Sequence, residues 1–210
     1  GGGGNTGSTY THDFILLFNG GAAAVDISTW SVQYASAAGT TWIKTNLTGS
    51  IAPGQYYLIQ QAAGGGGTTP LPTPDLIGTT AMSASAAKLA LVKTQTALPG
   101  TFTLPLPEIE DFVGYGDTAT IYEGSGRAPT LTNTTANFRL HYGCTDTDDN
   151  AADFYTGAPQ PVNSASLRVL CGALPSVSAT TPANAATFVP TDANLVITFN
   201  ELVTLTGDPV

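Results

Sequence analysis

The sequence is poor in charge. Only 10% of its residues are Asp, Glu, Lys or Arg, against about 25% in an ordinary soluble domain. Six Lys and Arg face fifteen Asp and Glu, a formal net charge of −9. Nucleic-acid binding depends on cations that displace counterions from phosphates, so no DNA or RNA partner is expected for this chain. An anionic membrane surface is disfavoured for the same reason. Divalent cations are the partners that a surplus of carboxylates suits best. No stretch approaches the roughly 20 apolar residues of a helical membrane span, so no membrane insertion is expected. No Met stands at position 1 and no signal peptide is present. The chain opens on Gly1-Gly2-Gly3-Gly4 and reads as a mature or excised piece of something longer.

Chemistry-bearing motifs are equally scarce. There are two histidines, His12 and His141, and no G-x-S-x-G that would seat a nucleophile. Gly64 to Gly67 lacks the Lys and the strand-to-helix setting of a phosphate-binding loop, and reads as a flexible connection. Cys144 and Cys171 are the only cysteines. With no CxxC, a thiolate metal site is not indicated. The pair is either two separate buried thiols or one disulfide. The disulfide is the reading adopted, because the rest of the chain points outside the cell.

What is abundant is Gly, Ser, Thr and Ala, with 42% apolar residues. That mixture is short of helix formers and suits an all-β protein with many turns. The chain is organised around Asp13 to Tyr34. Phe14 to Phe18 is a continuous apolar run, too short for a helix and suited to a strand covered on both faces. Asn19-Gly20-Gly21 breaks it. Trp30, Val32 and Tyr34 then alternate with Ser31 and Gln33, the period of a half-buried strand with the polar pair outside. Phe14, Leu17, Trp30 and Val32 are the expected core.

Val25 to Tyr34 is expected as one strand, and further strands over Gly39 to Leu47, Gln55 to Gln61, Lys88 to Val92, Ile109 to Tyr115 and Ala136 to Tyr142, with Ile121 to Glu123 short and extended. Ala62 to Pro74 and Leu98 to Pro107 are Gly/Pro loops. The character changes at Pro175, and Leu195, Ile197 and Phe199 alternate in a last strand. Two domains are expected, 1–172 and an incomplete one over 173–210, too short to be an independent sandwich.

The order and spacing of several pieces resemble the bacterial lamin-tail domain, an immunoglobulin-like β-sandwich. They are the Gly-rich opening Gly1 to Gly7, Asp13 to Asn19, Val25 to Tyr34, Thr41 to Leu47, Pro53 to Gln60, Asp111 to Gly116, Asn133 to Ala136, Gly143 to Phe154 and Pro161 to Ser166. Thr180 to Ala185 and Phe188 to Glu201 resemble the start of a bacterial immunoglobulin-like surface-protein domain. Leu16 stands where relatives tend to carry Glu, and the strand that usually precedes the Gly-rich turn is missing. That omission implies an open sheet edge at Tyr10 to Phe18. The resemblance implies an accessory module of an extracellular or cell-surface bacterial protein, not an enzyme.

Four side chains suit calcium. Asp146, Asp148 and Asn150 have the alternate spacing of a calcium loop, with Asp153 beyond them. Ala151 replaces the loop glycine, and Gly157 stands where a bidentate Glu would close the site. The competing reading is an Asx-rich turn bonded to its own backbone. Calcium is thus the one cofactor suggested. Glu108, Glu110 and Asp111 read as a solvated start to a strand, and His12 as a strand-edge residue. Trp30 and Trp42 read as core before they read as a sugar platform. Asn46-Leu-Thr48 and Asn133-Thr-Thr135 match the glycosylation pattern, a match expected by chance. No catalytic residue is assigned. The expected role is a structural or adhesive module whose partners are other domains of the same protein or identical subunits. The alternatives are a filament subunit built by strand addition, with Asn194 to Val203 as donor, and a calcium- or carbohydrate-binding accessory domain of a secreted nuclease or phosphatase.

Overall fold

The computed structural model describes residues 3–172, 177–183, 185–190 and 192–199. Gly1, Gly2, the expected domain boundary at 173–176 and residues 200–203 of the expected donor strand lie outside them. Among the described residues the chain is almost wholly β. The strands are β1 (His12–Phe18), β2 (Val25–Asp26), β3 (Ser31–Ser36), β4 (Ile43–Asn46), β5 (Ser50–Ile51), β6 (Tyr56–Ala63) and β7 (Leu76–Ile77). They continue with β8 (Ala87–Val92), β9 (Ile109–Tyr115), β10 (Ala136–Arg139), β11 (Phe154–Gly157), β12 (Val177–Thr181) and β13 (Val196–Phe199). One helical turn, α1 (Asn150–Asp153), precedes β11.

Two sheets carry the fold. One runs β1-β6-β7 with β1 at its edge, and the other runs β4-β3-β8-β9. They face each other through alternate side chains. Ile15, Leu17, Tyr57 and Ile59 from the first meet Val32 and Leu91 from the second, around Ile27, Leu47 and Ile51. Tyr34, Leu89, Val113 and Tyr115 extend the same layer. Val32 is buried here, and Phe14 is buried on the opposite face of β1. Leu17 and Trp30 are partly buried and pack against the cluster from its rim. Trp30 precedes β3 instead of lying within it.

The outward face of β3 is not wet, which corrects the half-buried reading. Ser31 and Gln33 are fully buried, because the loop after β8 folds over them. Ser31 Oγ donates to the Thr94 carbonyl at 2.7 Å. Gln33 Nε2 donates to the Thr96 carbonyl at 2.8 Å, and its Oε1 accepts from Leu98 N–H at 2.9 Å. The Pro-rich loop that follows adds Phe102, Leu104 and Leu106 to Trp42, Ala90, Val92 and Phe112. A polar side chain facing loop backbone thus serves as core. Lys88 is buried beside this layer, its Nζ donating to the Gly39 carbonyl and Thr120 Oγ1 and lying 5.7 Å from the Trp42 ring centre.

The other outer face, on β1 and β6, is covered by β10 with β11. Phe14, Leu16 and Leu58 meet Ala136, Phe138 and Leu71 there. The glycine run after β6 is closely packed, where a loose loop was expected. A Cβ at Gly66 would lie 1.9 Å from the Asn5 carbonyl oxygen, and one at Gly67 2.0 Å from that of Tyr10. Only glycine lets these two backbone segments approach.

Several expected strands differ. Val25 to Tyr34 divides into β2 and β3, and Ala136 to Tyr142 stops at Arg139. The hairpin of β12 and β13 leaves Val177, Leu195, Val196 and Ile197 exposed.

Candidate functional site

The acidic loop before α1 folds around a cation from the chain itself. Arg139 ends β10, and its guanidinium lies 4.5 Å from the centre of the Phe154 ring across the hairpin. Its Nη1 donates to Asp146 Oδ1 at 2.7 Å and to Asp153 Oδ2 at 3.0 Å. Its Nη2 donates to Asp111 Oδ1, on β9, at 2.7 Å. One planar fork therefore ties a β-sheet, a hairpin and a loop together, a geometry that Arg can supply and Lys cannot.

Asp153, fully buried, also accepts from Thr147 N–H at 2.8 Å and from the Thr147 hydroxyl at 2.7 Å. Burial alone would raise its carboxyl, but the Thr147 hydrogen bonds, the Asp149 N–H and the Arg139 charge outweigh it and hold it below the usual range. Burial pushes the Asp111 carboxyl above its usual range, and Arg139 pulls it back part of the way. Asp149 caps α1, accepting from Ala151 N–H and Ala152 N–H, and its other oxygen accepts from Ser125 N–H at 3.0 Å. Capping of this kind satisfies donors that a helix start leaves open.

Asn150 is turned inward and fully buried. Its Nδ2 donates to the Phe112 carbonyl at 2.8 Å, and its Oδ1 accepts from Gly114 N–H at 2.8 Å and Glu123 N–H at 3.2 Å. The side-chain amide pairs with the outer edge of β9 as a neighbouring strand would. Nδ2 also donates to Glu123 Oε2 at 3.1 Å.

The carboxyl of Glu123 is pushed up to about 8, first by burial and then by the charges of Asp111, Asp148 and Asp146, against the Asn150 bond. A carboxyl raised in the folded state binds a proton that the unfolded chain has released. Its contribution therefore falls as pH rises from about 4.5 to about 8. Glu123→Gln is expected to keep the Asn150 hydrogen bond, flatten this part of the stability–pH profile and raise stability at alkaline pH. Urea unfolding of both proteins across that range measures it, and parallel profiles would contradict it.

The four residues with calcium-loop spacing are thus used differently. Asp146 and Asp153 share the Arg139 guanidinium, and Asn150 faces the sheet. Asp148 sits at a positive φ of 53° on the exposed turn. Among the described residues, no group of three or more His, Cys, Asp or Glu is placed to hold a metal ion. The guanidinium lies between the Asp146 and Asp153 carboxylates.

The remaining candidates lie apart. Glu110 pairs with Lys93 at 3.3 Å, while Asp111, beside it in sequence, points to Arg139. His12 Nδ1 bonds Thr11 Oγ1, and His141 Nδ1 bonds Thr145 Oγ1. Trp42 is buried, so it presents no face to a sugar. Sequence reasoning missed Arg139, Glu123 and the inward role of Asn150. The apolar spacing of Ala136, Phe138 and Leu140 marked a strand, with no signal of what its arginine reaches.

Cys144 and Cys171 form a disulfide with Cα atoms 5.4 Å apart. It joins the turn after β10 to the segment after Val169, whose N–H donates to the Gly54 carbonyl at 2.9 Å. The bridged residues are 27 positions apart, and closing a loop of that size stabilises by about 3.5 kcal/mol in the chain-entropy account. The double variant Cys144→Ser with Cys171→Ser is expected to lose about that much in urea unfolding; an unchanged midpoint would contradict it. No family model matches the chain, and no curated protein or solved structure matches it.

Proposed function

We propose that this chain is a non-catalytic structural or adhesive β module of a larger secreted or cell-surface bacterial protein. In this reading its first part is an immunoglobulin-like sandwich of the lamin-tail kind, and the β12–β13 hairpin opens a second immunoglobulin-like domain. The observation that carries the reading is the Arg139 cluster. Its carboxylates are spent on the chain's own cation and its own helix cap, and Asn150 on the edge of β9. The disulfide supports an oxidising location, and no helix among the described residues is long and apolar enough to cross a membrane. The test is turnover of nuclease, phosphatase and glycosidase substrates between acid and alkaline pH. No turnover above a blank is expected. Turnover that Glu123→Gln or Asp148→Asn abolishes would overturn the reading.

A filament subunit is the second reading, and the position of β1 at the edge of its sheet favours it. Light scattering across a concentration series would then show growth beyond a monomer, and a mass that stays monomeric would count against it.

A further inference from the structure

Next to the acidic cluster, on and beside the β10–β11 hairpin, five aromatic rings gather on one part of the surface. Phe18 and Tyr56 face each other across β1 and β6 with ring centres 5.0 Å apart. Phe138 and Tyr155 pair across β10 and β11, stacked at 5.6 Å. Tyr142, in the turn after β10, meets the first pair: the Tyr56 hydroxyl donates to its carbonyl at 2.8 Å. The Tyr142 and Tyr155 hydroxyls also lie within electrostatic reach of Tyr56, whose own hydroxyl is pushed up to about 12, by burial first and then by those two.

The inner rings are held and the outer ones are presented. Phe18 packs on Gly143, where a Cβ would lie 2.6 Å from its ring. Tyr142 and Tyr155 are 50% and 48% exposed. The backbone is bent to do this. His141 and Tyr142 both adopt left-handed conformations, with φ of 51° and 60°, which bulky residues avoid. The neighbouring disulfide at Cys144 fixes the turn. Strain of this kind persists where surrounding structure over-determines it, and it concentrates at ligand-binding positions.

We propose that the Tyr142–Tyr155 surface, with Tyr56 between them, is a binding platform for a neutral polysaccharide. Ring faces offer apolar area to the C–H side of a pyranose, and phenol hydroxyls at the rim bond its hydroxyls. None of the five rings carries charge, and the net charge of −9 repels acidic polymers. Neutral sugars are the class that uncharged rings with phenol hydroxyls at their rim suit. The inference rests on the adhesive half of the proposed function and gives it a surface.

The test is calorimetric titration of the full chain with cellohexaose, chitohexaose, mannohexaose and laminarihexaose, with reducing ends counted afterwards. Saturable binding of at least one is expected. Tyr155→Ala and Tyr142→Gly are each expected to weaken it roughly tenfold, about 1.4 kcal/mol. Tyr142→Gly separates binding from folding, because glycine suits φ of 60° and its melting temperature should match or exceed the parent's. Absence of binding to all four, or equal binding by parent and variants, overturns the platform and leaves the non-catalytic reading standing. Binding followed by cleavage overturns the non-catalytic reading and leaves the platform standing.

Discussion

Asn150→Ala is expected to be the most damaging single substitution in the chain, lowering stability by about 5 kcal/mol. The side chain is fully buried and answers the Phe112 carbonyl, the Gly114 N–H and the Glu123 N–H. Alanine leaves all three without that partner, and each buried orphan costs about 1–3 kcal/mol. For a chain of this size the melting temperature should fall by roughly 10–20 °C. Asn150→Asp supplies a more discriminating outcome. Its carboxylate still accepts from the two N–H groups, but it faces the Phe112 carbonyl and Glu123 with no donor. Protonation restores a donor, so this variant should approach the parent in acid and fall away from it towards alkaline pH. Melting curves of the three proteins over pH decide it, and a uniform loss at every pH would contradict the strand-mimic role.

Arg139→Met is expected to cost about 4 kcal/mol at neutral pH, the range for removing one partner from a buried ion pair. Its guanidinium answers Asp111, Asp146 and Asp153 together, and methionine keeps the packing on Phe154 while removing the charge. The pH dependence carries the sign. Burial already raises Asp111, and without Arg139 its folded-state value rises further above that of the unfolded chain. Stability of the variant should then decline as pH rises between those two values, so the gap to the parent narrows in acid. Arg139→Lys should recover only part of the loss, since one ammonium cannot span carboxylates on β9 and in the loop. Chemical unfolding at acid and neutral pH measures this; a pH-independent loss would assign the effect to packing.

The strands were legible where alternation or an apolar run met turn residues. Ile109 to Tyr115 matches β9 at both ends, and the expected strands at Lys88 to Val92 and Gln55 to Gln61 match β8 and β6 to within a residue or two. Reading failed where burial was achieved with polar atoms. Ser31 and Gln33 look like a wet face because hydroxyl and amide groups normally find water, and here loop carbonyls and an N–H replace it. Short strands such as β5 and β7 have two residues each, too few to show a period. At the acidic loop, the residues were found and their directions were not. Spacing places Asp146, Asp148 and Asn150 on one turn, but the arginine that pairs with Asp146 and Asp153 comes from β10, and the edge that takes Asn150 is on β9. Such partners are separated in sequence and have no local signature. The exposed tyrosines share that character, since Tyr56 meets Tyr142 across 86 positions.

The acidic loop is an internal fastening around Arg139. The most direct measurement is thermal unfolding of the intact chain in millimolar calcium, the concentration extracellular calcium modules require, against the same protein in chelator. Coincident melting curves are expected, with Arg139→Met melting well below both. A clear rise in melting temperature with calcium, lost in Asp148→Asn, would contradict it.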